Sequence, residues 1–319
     1  MIKRHHIDYN SPFNSKPEEQ SIDKRNYYER ECENLPKYHV NEGDMKIPAC
    51  PYISGDTFRS FSNLVFDETT PQMAYSYKAE RIRKNNLVFV ATHYLREVEA
   101  AILTNTREPF ILITSNSDDP APSAYPKLLN FKYLISWFAQ NVDMAHEKVY
   151  PLPIGIANYK WGHGNITLIK QMAERKKPFH KRQTLLYVNM NAGTDRSGVR
   201  ATLEKRFSSF SNVKILNGRV LYKEYLEHLQ DAKFVLSPRG NGLDCHRTWE
   251  SMIMGAVPII LSSEMDKMFF NVTNVIILKT WEELNEEMLT SFNPDFQGDG
   301  SDIIYAKYWY DKISSRKFA

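Results

Sequence analysis

Short apolar runs alternate with helical stretches along most of this 319-residue sequence, and no other feature constrains the possible folds as strongly. In the first half, apolar runs occur at residues 87–92, 109–114, 131–138 and 149–154, and a helical stretch covers 95–104. Runs of this length bounded by polar residues are typical of buried strands. Short strands separated by helices predict βαβ units, in which the strands form a parallel sheet.

A second series of the same kind follows a basic stretch at residues 174–178. Its predicted strands cover 185–189, 213–216, 233–237, 257–261 and 275–278, and its predicted helices cover 199–207, 222–229 and 244–255. A further helix is predicted from Trp281, because Thr280 and Glu283 have the spacing of a capping box. The aromatic segment 305–310 is also predicted to be helical. The sequence therefore predicts two successive α/β halves.

These patterns divide the chain into five segments. Residues 1–45 are polar and are expected to form an N-terminal arm that is either wrapped on the body or partly disordered. The first α/β domain covers 46–160, a linker covers 161–182, and the second α/β domain covers 183–300. Residues 301–319 are predicted to form a C-terminal helix, which could pack back on the first domain. Each α/β domain is long enough for one hydrophobic core.

Charge and composition limit the class of protein. The 41 Lys and Arg residues against 38 Asp and Glu residues give a net charge of +3, which argues against a nucleic-acid partner. No apolar run reaches about 18 residues and the start is polar, so we expect no transmembrane segment. Cys32, Cys50 and Cys245 lack metal-ligand spacing and one of them must stay unpaired, which favours a reducing compartment. These features predict a soluble cytoplasmic protein.

The segment 234–260 is the most informative part of the sequence. It has the pattern of a strand, a glycine-bearing loop, a helix, a tight turn and another strand. Ligands of open α/β sheets bind outside the carboxyl ends of the strands, where this loop must lie. Gly240 and Gly242 would let the backbone approach a phosphate closely. The start of the helix offers free N–H groups and the positive end of a dipole.

Charged side chains in the same segment suit a nucleoside diphosphate. Arg239, His246 and Arg247 are hydrogen-bond donors for the diphosphate, and arginine can bind it bidentately. Glu250 lies one helical turn beyond Arg247, where its carboxylate could accept hydrogen bonds from ribose hydroxyls. The alternative is a plain turn between strand and helix, with a surface pair between Arg247 and Glu250.

Ser237-Pro-Arg-Gly240, the run through Glu250 and Gly255-Ala-Val-Pro258 resemble the donor-binding signature of exostosin-like glycosyltransferases. The resemblance is nearest to the subgroup found among large algal viruses and xylosyltransferase-like proteins. It extends over about residues 50–290. In the first half it includes the stretches 53–59, 112–118, 137–141 and 153–158. Ser115 departs from the pattern, since the resemblance leads us to expect a histidine there.

The resemblance implies a GT-B fold, in which two Rossmann-like domains face a central cleft. The nucleotide-sugar donor then binds to the second domain, 183–300, and the acceptor binds to the first domain, 46–160. It also implies an inverting reaction with no obligatory metal and no cofactor. We expect a UDP-sugar as the donor, with UDP-xylose the first choice, and a hydroxyl group of a glycan as the acceptor. If the protein is viral, it is expected in the host cytoplasm.

The residue chemistry agrees with this implication. The chain has no Asp-x-Asp triplet, the usual means of holding a divalent cation on a sugar diphosphate, so arginines and helix dipoles would stabilise the leaving group. The predicted donor site consists of Asn189, Asn191, Arg196, Arg200, Ser237, Arg239, Gly240, Asn241, Gly242, Asp244, His246, Arg247, Glu250 and His163. For Arg196 and Arg200 the alternative is a solvated surface position. For His163, in the linker, the alternative is an ordinary loop histidine.

Inversion needs one general base that removes the proton of the acceptor hydroxyl. We expect this base in the first domain, at the end of a strand. Asp118 and Asp119 follow the predicted strand 109–114, and Asp56 lies in Ser54-Gly-Asp-Thr57. Asp56 and Asp118 are the two catalytic candidates, and the resemblance does not decide between them. Each of these aspartates could instead serve as a cap or turn residue.

Two other functions fit parts of the pattern. A non-catalytic nucleotide- or carbohydrate-binding protein can use the same scaffold, since a fold does not fix a function. A nucleotide-dependent oxidoreductase would need a complete Gly-x-Gly-x-x-Gly fingerprint, but Cys245 takes the place of the last glycine. The leading hypothesis is therefore an inverting, metal-independent glycosyltransferase.

Overall fold

The computed structural model describes residues 17–195, 197–216, 218–293 and 302–318, and within them two parallel five-stranded sheets. The first sheet contains, in both chain and spatial order, β1 (Leu64–Phe66), β2 (Asn86–Ala91), β3 (Phe110–Ser115), β4 (Leu134–Ala139) and β5 (Val149–Pro151). The helices of this half are α1 (Pro17–Glu33), α2 (Gly55–Phe61), α3 (Tyr75–Glu80), α4 (Leu95–Asn105) and α5 (Pro126–Leu129). All residues of β3 are buried, as expected when a parallel sheet is covered on both faces.

The second sheet contains β6 (Thr184–Asn189), β7 (Val213–Leu216), β8 (Ala232–Leu236), β9 (Val257–Leu261) and β10 (Ile276–Leu278). Its helices are α6 (Ile166–Glu174), α7 (Val199–Phe207), α8 (Tyr222–Asp231), α9 (His246–Ile253) and α10 (Glu286–Ser291). The spatial order is β10-β9-β8-β6-β7, so the chain reverses its direction across the sheet between β6 and β8. Ligands of open α/β sheets bind at such a switch point, where the loops after these two strands leave the sheet.

Each sheet with its helices forms a Rossmann-like domain, and a cavity lies where residues of the two domains meet. The predicted fold, an α/β protein of the GT-B type with two such domains, is confirmed. The last helix, α11 (Ala306–Ser314), contacts α1 and α2 of the first domain. Tyr305, just before it, stacks on Tyr28 of α1 with 4.2 Å between the ring centroids. Trp309, which belongs to α11, is fully buried.

Two of the three cysteines are joined in a disulfide. It links Cys32 to Cys50 and so ties the end of α1 to the segment that precedes α2. The odd number of cysteines led to the prediction of a reducing compartment. Disulfides persist mainly in oxidising surroundings, so this disulfide gives that prediction no support. Cys245, the third cysteine, is free. Of the predicted N-terminal arm, residues 1–16 lie outside the described residues, and among the helices of the described part none is long and apolar enough to cross a membrane.

The prediction of an α-helix that begins at Trp281 is wrong. Trp281–Glu283 forms a single 3₁₀ turn, and the side chain of Thr280 makes no capping hydrogen bond. The carboxylate of Glu283 accepts instead from the backbone N–H of Lys279, at 3.0 Å, one residue before the expected cap. The helix of this region, α10, begins only after Asn285, whose side chain caps it.

Candidate active site

A cavity of about 460 Å³ lies between the two domains, at the carboxyl end of the first sheet. Three strands end beside it, because His93 follows β2, residues 116–118 follow β3, and Gln140 follows β4. The connection between the domains contributes Trp161, and the second domain contributes His246. This is the position at which open α/β folds bind their ligands.

A network of polar groups under the cavity holds Asp56. Its Oδ1 accepts a hydrogen bond from Nδ2 of Asn116 at 3.1 Å, and its backbone N–H donates to Oδ1 of Asn158 at 2.9 Å. The carboxylate is buried, and Oδ2 has no hydrogen-bond partner among the described residues. Burial raises the pKa of Asp56, against the opposing effect of Lys46, whose Nζ lies 3.9 Å from Oδ1. The neighbouring Gly55 lines the cavity and has no room for a side chain, since a Cβ would lie 1.6 Å from Oδ1 of Asn116.

Asp118 lies in the cavity wall and is exposed there. Nδ2 of Asn241, in the loop that joins β8 to α9 (residues 237–245, the β8–α9 loop), donates to Oδ2 of Asp118 at 3.3 Å. Asp119 is exposed as well, but its Oδ2 accepts from the hydroxyl of Ser117 at 3.0 Å, as is typical of a turn residue. Of the two predicted catalytic candidates, the structure brings Asp118 to the second domain and encloses Asp56.

A cluster of three charged side chains on the cavity wall was missed by the sequence analysis. Nζ of Lys46 lies 2.5 Å from Oε1 of Glu68, and Nζ of Lys160 lies 3.9 Å from the same oxygen. Burial acts to raise the pKa of Glu68, but the hydrogen bond from Lys46, a backbone hydrogen bond and the charge of Lys46 together outweigh it, so the pKa is lowered. His93 was also missed, although its place directly after the predicted strand 87–92 is a signal that could have identified it.

The β8–α9 loop is fastened to the first domain through Asp244. Oδ2 of Asp244 accepts from the backbone N–H of Ile154 and from Nε1 of Trp249, each at 2.8 Å. The backbone N–H of Asp244 donates to Oδ1 of Asn141 at 3.1 Å. Burial raises the pKa of this carboxyl to about 6, although these hydrogen bonds oppose the shift. Asp244, predicted for the donor site, thus joins the two domains.

The two glycines of the β8–α9 loop make room for protein side chains. A Cβ on Gly242 would lie 2.6 Å from Nδ2 of Asn141, and a Cβ on Gly240 would lie 3.1 Å from Nη2 of Arg200. The sequence predicts that a phosphate approaches the backbone at these glycines. In the structure the side chains of Asn141 and Arg200 lie close against them, and the phosphate contact stays a prediction.

Arg200 holds the loops after β6 and β8 together. Its Nε donates to the carbonyl of Arg239 at 2.9 Å and its Nη2 to the carbonyl of Pro238 at 3.0 Å. Its Nη1 donates to the hydroxyl of Thr194 at 2.7 Å. Most of its five N–H groups are therefore already in use. The side chain of Arg239 itself is exposed.

Three other predicted residues also shape these loops. Nδ2 of Asn189 donates to the carbonyls of Leu216 and Gly218, and Oδ1 of Asn191 accepts from a backbone N–H within its own turn. The hydroxyl of Ser237 lies 3.0 Å from that of Thr248. The predicted donor residue Arg196 lies outside the described residues.

Arg247 and Glu250 lie on the first turns of α9, beside two tyrosines of α8. The hydroxyls of Tyr222 and Tyr225 donate to Oε1 and Oε2 of Glu250, each at 2.9 Å. Burial first, and then the carboxylate, raise the pKa of both tyrosines, so their hydroxyls remain donors. Within the described part of the chain, Nε of Arg247 is buried without a hydrogen-bond partner and no acidic side chain pairs with this guanidinium. An unpaired guanidinium at a helix start is suited to an anionic ligand.

His163 extends from the connection between the domains to the same region. Its ring centroid lies 6.2 Å from that of Tyr222 and 6.1 Å from that of His246. Desolvation lowers the pKa of His163, so the neutral ring predominates at pH 7. Nδ1 of His246 is held 2.7 Å from the carbonyl of Gly155. Across the four described ranges of the chain, no three His, Cys, Asp or Glu side chains gather as metal ligands would.

Residues 165–282 match the family model described as the Exostosin GT47 domain, a span that runs from α6 to beyond β10 and includes the β8–α9 loop. No curated protein matches the sequence. Among solved structures, the chain is similar to the α,α-trehalose 6-phosphate synthase of Burkholderia multivorans, with 12% identity, a TM-score of 0.41, and coverage of 92% of this chain and 80% of that chain. The family match supports the resemblance to exostosin-like glycosyltransferases, and the algal-virus subgroup stays a prediction.

Proposed function

We propose that the chain is a glycosyltransferase that moves a sugar from a nucleotide-sugar donor to a hydroxyl group of a glycan acceptor. The observation that carries this proposal is the match of residues 165–282 to the Exostosin GT47 domain, because that span contains Arg247 and Glu250. The cavity between the domains supports it, since an acceptor bound there would lie beside the β8–α9 loop.

The donor diphosphate is assigned to the start of α9. The N–H groups of His246 and Arg247 belong to the first turn of this helix, so they have no partners within it. A diphosphate would also supply the negative charge that Arg247 lacks among the described residues. Glu250 would bind the ribose hydroxyls with the lone pairs that Tyr222 and Tyr225 leave free. A UDP-sugar, with UDP-xylose first, remains the donor that the sequence resemblance favours.

The general base is assigned to Asp118. Its carboxylate is exposed in the cavity and lies beside Asn241 of the second domain. It would remove the proton of the acceptor hydroxyl as that oxygen attacks the anomeric carbon opposite the leaving diphosphate, which inverts the configuration. Arg247 and the positive end of α9 would stabilise the charge that develops on the diphosphate. Asp56, enclosed below the cavity, would act as a positioning residue that fixes Asn116.

A panel of UDP- and GDP-linked sugars, incubated with the full chain and mixed oligosaccharides, tests the proposal through nucleotide release and product mass. We expect turnover of one donor class, and the same rate in EDTA because the proposed chemistry uses no metal. Arg247→Ala should abolish donor binding measured by calorimetry. The matched control is Arg206→Ala, which removes an exposed arginine of α7 that pairs with Glu282. Binding without turnover would favour the non-catalytic alternative, and binding of no nucleotide would contradict both.

A further inference from the structure

Trp161 differs from the other tryptophans of the chain. The chain has five tryptophans, and Trp137, Trp249, Trp281 and Trp309 are all buried. Trp161 is 54% exposed, and it lines the cavity between the domains. An indole in that position offers a broad apolar face to a ligand that otherwise meets polar groups.

The turn that carries Trp161 is tightly constructed. The backbone N–H of Trp161 donates to the carbonyl of Asn158 at 3.0 Å, and its own carbonyl accepts from Gly164 at 2.7 Å. A Cβ on Gly164 would lie 2.1 Å from the carbonyl oxygen of Asn158, so only glycine closes the turn in this way. Nζ of Lys160 lies 5.2 Å from the centroid of the indole, and the ring of His163 lies nearly parallel to the indole with 6.5 Å between the centroids. These contacts and the closed turn restrict the indole before a ligand arrives, which lowers the entropic cost of binding.

The charges of the cavity wall compensate one another. Among the described lining residues, Lys46 and Lys160 are the cations and Glu68 and Asp118 are the anions. Both lysines lie within 4 Å of Glu68, at 2.5 and 3.9 Å. An anionic ligand would therefore compete with Glu68 for these lysines and would be repelled by Asp118. The wall suits a neutral ligand with hydroxyl groups, which can hydrogen-bond to carboxylates and ammonium groups alike.

From these observations we infer that the cavity binds a neutral sugar ring of the acceptor, stacked on the indole of Trp161 with its hydroxyl groups toward Glu68 and Asp118. A pyranose presents C–H groups on its faces and hydroxyls at its edge, which matches an apolar platform with polar walls. The cavity, at about 460 Å³, lies within the usual range for small-ligand pockets, about 300–1,000 Å³. The inference rests on the proposed function, because it assigns the ring to the acceptor and not to the donor.

Titration of the intrinsic fluorescence tests this inference, since Trp161 is the exposed indole. The probes are xylobiose, cellobiose and chitobiose as neutral disaccharides, and digalacturonic acid as an anionic one. We expect at least one neutral disaccharide to change the emission and to bind more tightly than digalacturonic acid. Trp161→Ala removes the reporting indole, so this variant and the wild type are compared by calorimetry, and the substitution should weaken that binding about tenfold or more. Tyr159→Ala is the matched control, because this exposed aromatic lies two residues away on the same connection and does not line the cavity.

Three results would overturn the inference: no neutral disaccharide binds, the anionic one binds more tightly, or Tyr159→Ala weakens binding as much as Trp161→Ala. A separate measurement of UDP binding by calorimetry shows whether the indole of Trp161 contacts the acceptor or the donor. UDP affinity should be unchanged in Trp161→Ala, and a matching loss would place the indole with the donor. Disaccharide binding through Trp161 without any transfer would contradict the proposed function alone. Transfer with an acceptor KM unchanged by Trp161→Ala would contradict this inference alone.

Discussion

Nδ2 of Asn241 donates a hydrogen bond of 3.3 Å to Oδ2 of Asp118, although the two residues lie 123 positions apart and in different domains. Both side chains are exposed, so this hydrogen bond contributes little to the stability of the fold. The hydrogen bond matters for position, because it places a carboxylate of the first domain beside the loop that leads into α9, where the donor is proposed to bind.

Asp118→Asn should therefore remove sugar transfer and leave donor binding in place. The amide cannot accept the proton of the acceptor hydroxyl, and the loss of a general base lowers kcat by about 10²–10⁴-fold. The dissociation constant of the nucleotide should stay almost unchanged, because the diphosphate and ribose contacts belong to α9. Steady-state rates and calorimetry measure the two effects separately. Asp119→Asn is the control, since Asp119 is the exposed neighbour held by Ser117, and equal rates in both variants would rule out Asp118 as the base.

The strands in the middle of each sheet could be predicted closely from the sequence. The apolar runs at 87–92 and 109–114 correspond to Asn86–Ala91 and Phe110–Ser115, because strands covered on both faces are apolar throughout. The strand Leu64–Phe66 was not predicted, since its apolar run covers only these three residues between Asn63 and Asp67. The equally short edge strands Val149–Pro151 and Ile276–Leu278 were predicted because longer apolar runs contain them.

In the candidate site, the residues that lie on one helix could be predicted from the sequence, and those contributed by distant parts of the chain could not. His246, Arg247 and Glu250 lie on one helix, so their spacing alone indicated a common face. Tyr222 reaches Glu250 from another helix, 28 residues away, and no local pattern marks it. The choice between Asp56 and Asp118 could not be made from the sequence either, because the residues that hold Asp56 below the cavity, Asn116 and Asn158, lie 60 and 102 positions along the chain.

Gly242→Ala should destabilise the protein. The new Cβ would lie 2.6 Å from Nδ2 of Asn141, at a point where the β8–α9 loop is fastened to the first domain. Overpacking of this kind costs about 1–3 kcal/mol in the free energy of unfolding. Urea denaturation measures it. Gly162→Ala serves as the control, because a Cβ there would have no described atom within 4 Å apart from its own chain neighbours, and similar losses in both variants would argue against the close approach.

The disulfide between Cys32 and Cys50 predicts a thiol count and a stability loss. Thiol labelling of the unfolded, unreduced chain should detect one free cysteine, and labelling after reduction should detect all three. Cys32→Ser should lower the free energy of unfolding by ~3 kcal/mol, because the bond closes a loop of 18 residues in the unfolded chain. Cys245→Ser leaves that loop closed and is the comparison. Three free thiols without reduction would contradict the pairing.

The buried carboxyl of Asp244 makes stability depend on pH. Its pKa is about 6 in the folded protein, against an ordinary value of 3.8. Between these two values the folded state keeps a proton that the unfolded chain has released, so this group's contribution to stability decreases as pH rises from about 4 to 6. At about 1.4 kcal/mol for each pKa unit, the decrease is on the order of 3 kcal/mol. The decrease should be absent from Asp244→Asn, which does not titrate.

Urea denaturation of the wild type and Asp244→Asn at pH 4, 5, 6 and 7 isolates this effect, because every other carboxyl titrates in both proteins. We expect the wild type to lose stability relative to the variant up to pH 6 and then to run parallel to it. A constant difference between the wild type and Asp244→Asn would mean that the N–H donors of Ile154, Trp249 and Cys245 stabilise the ionised carboxylate as well as water does.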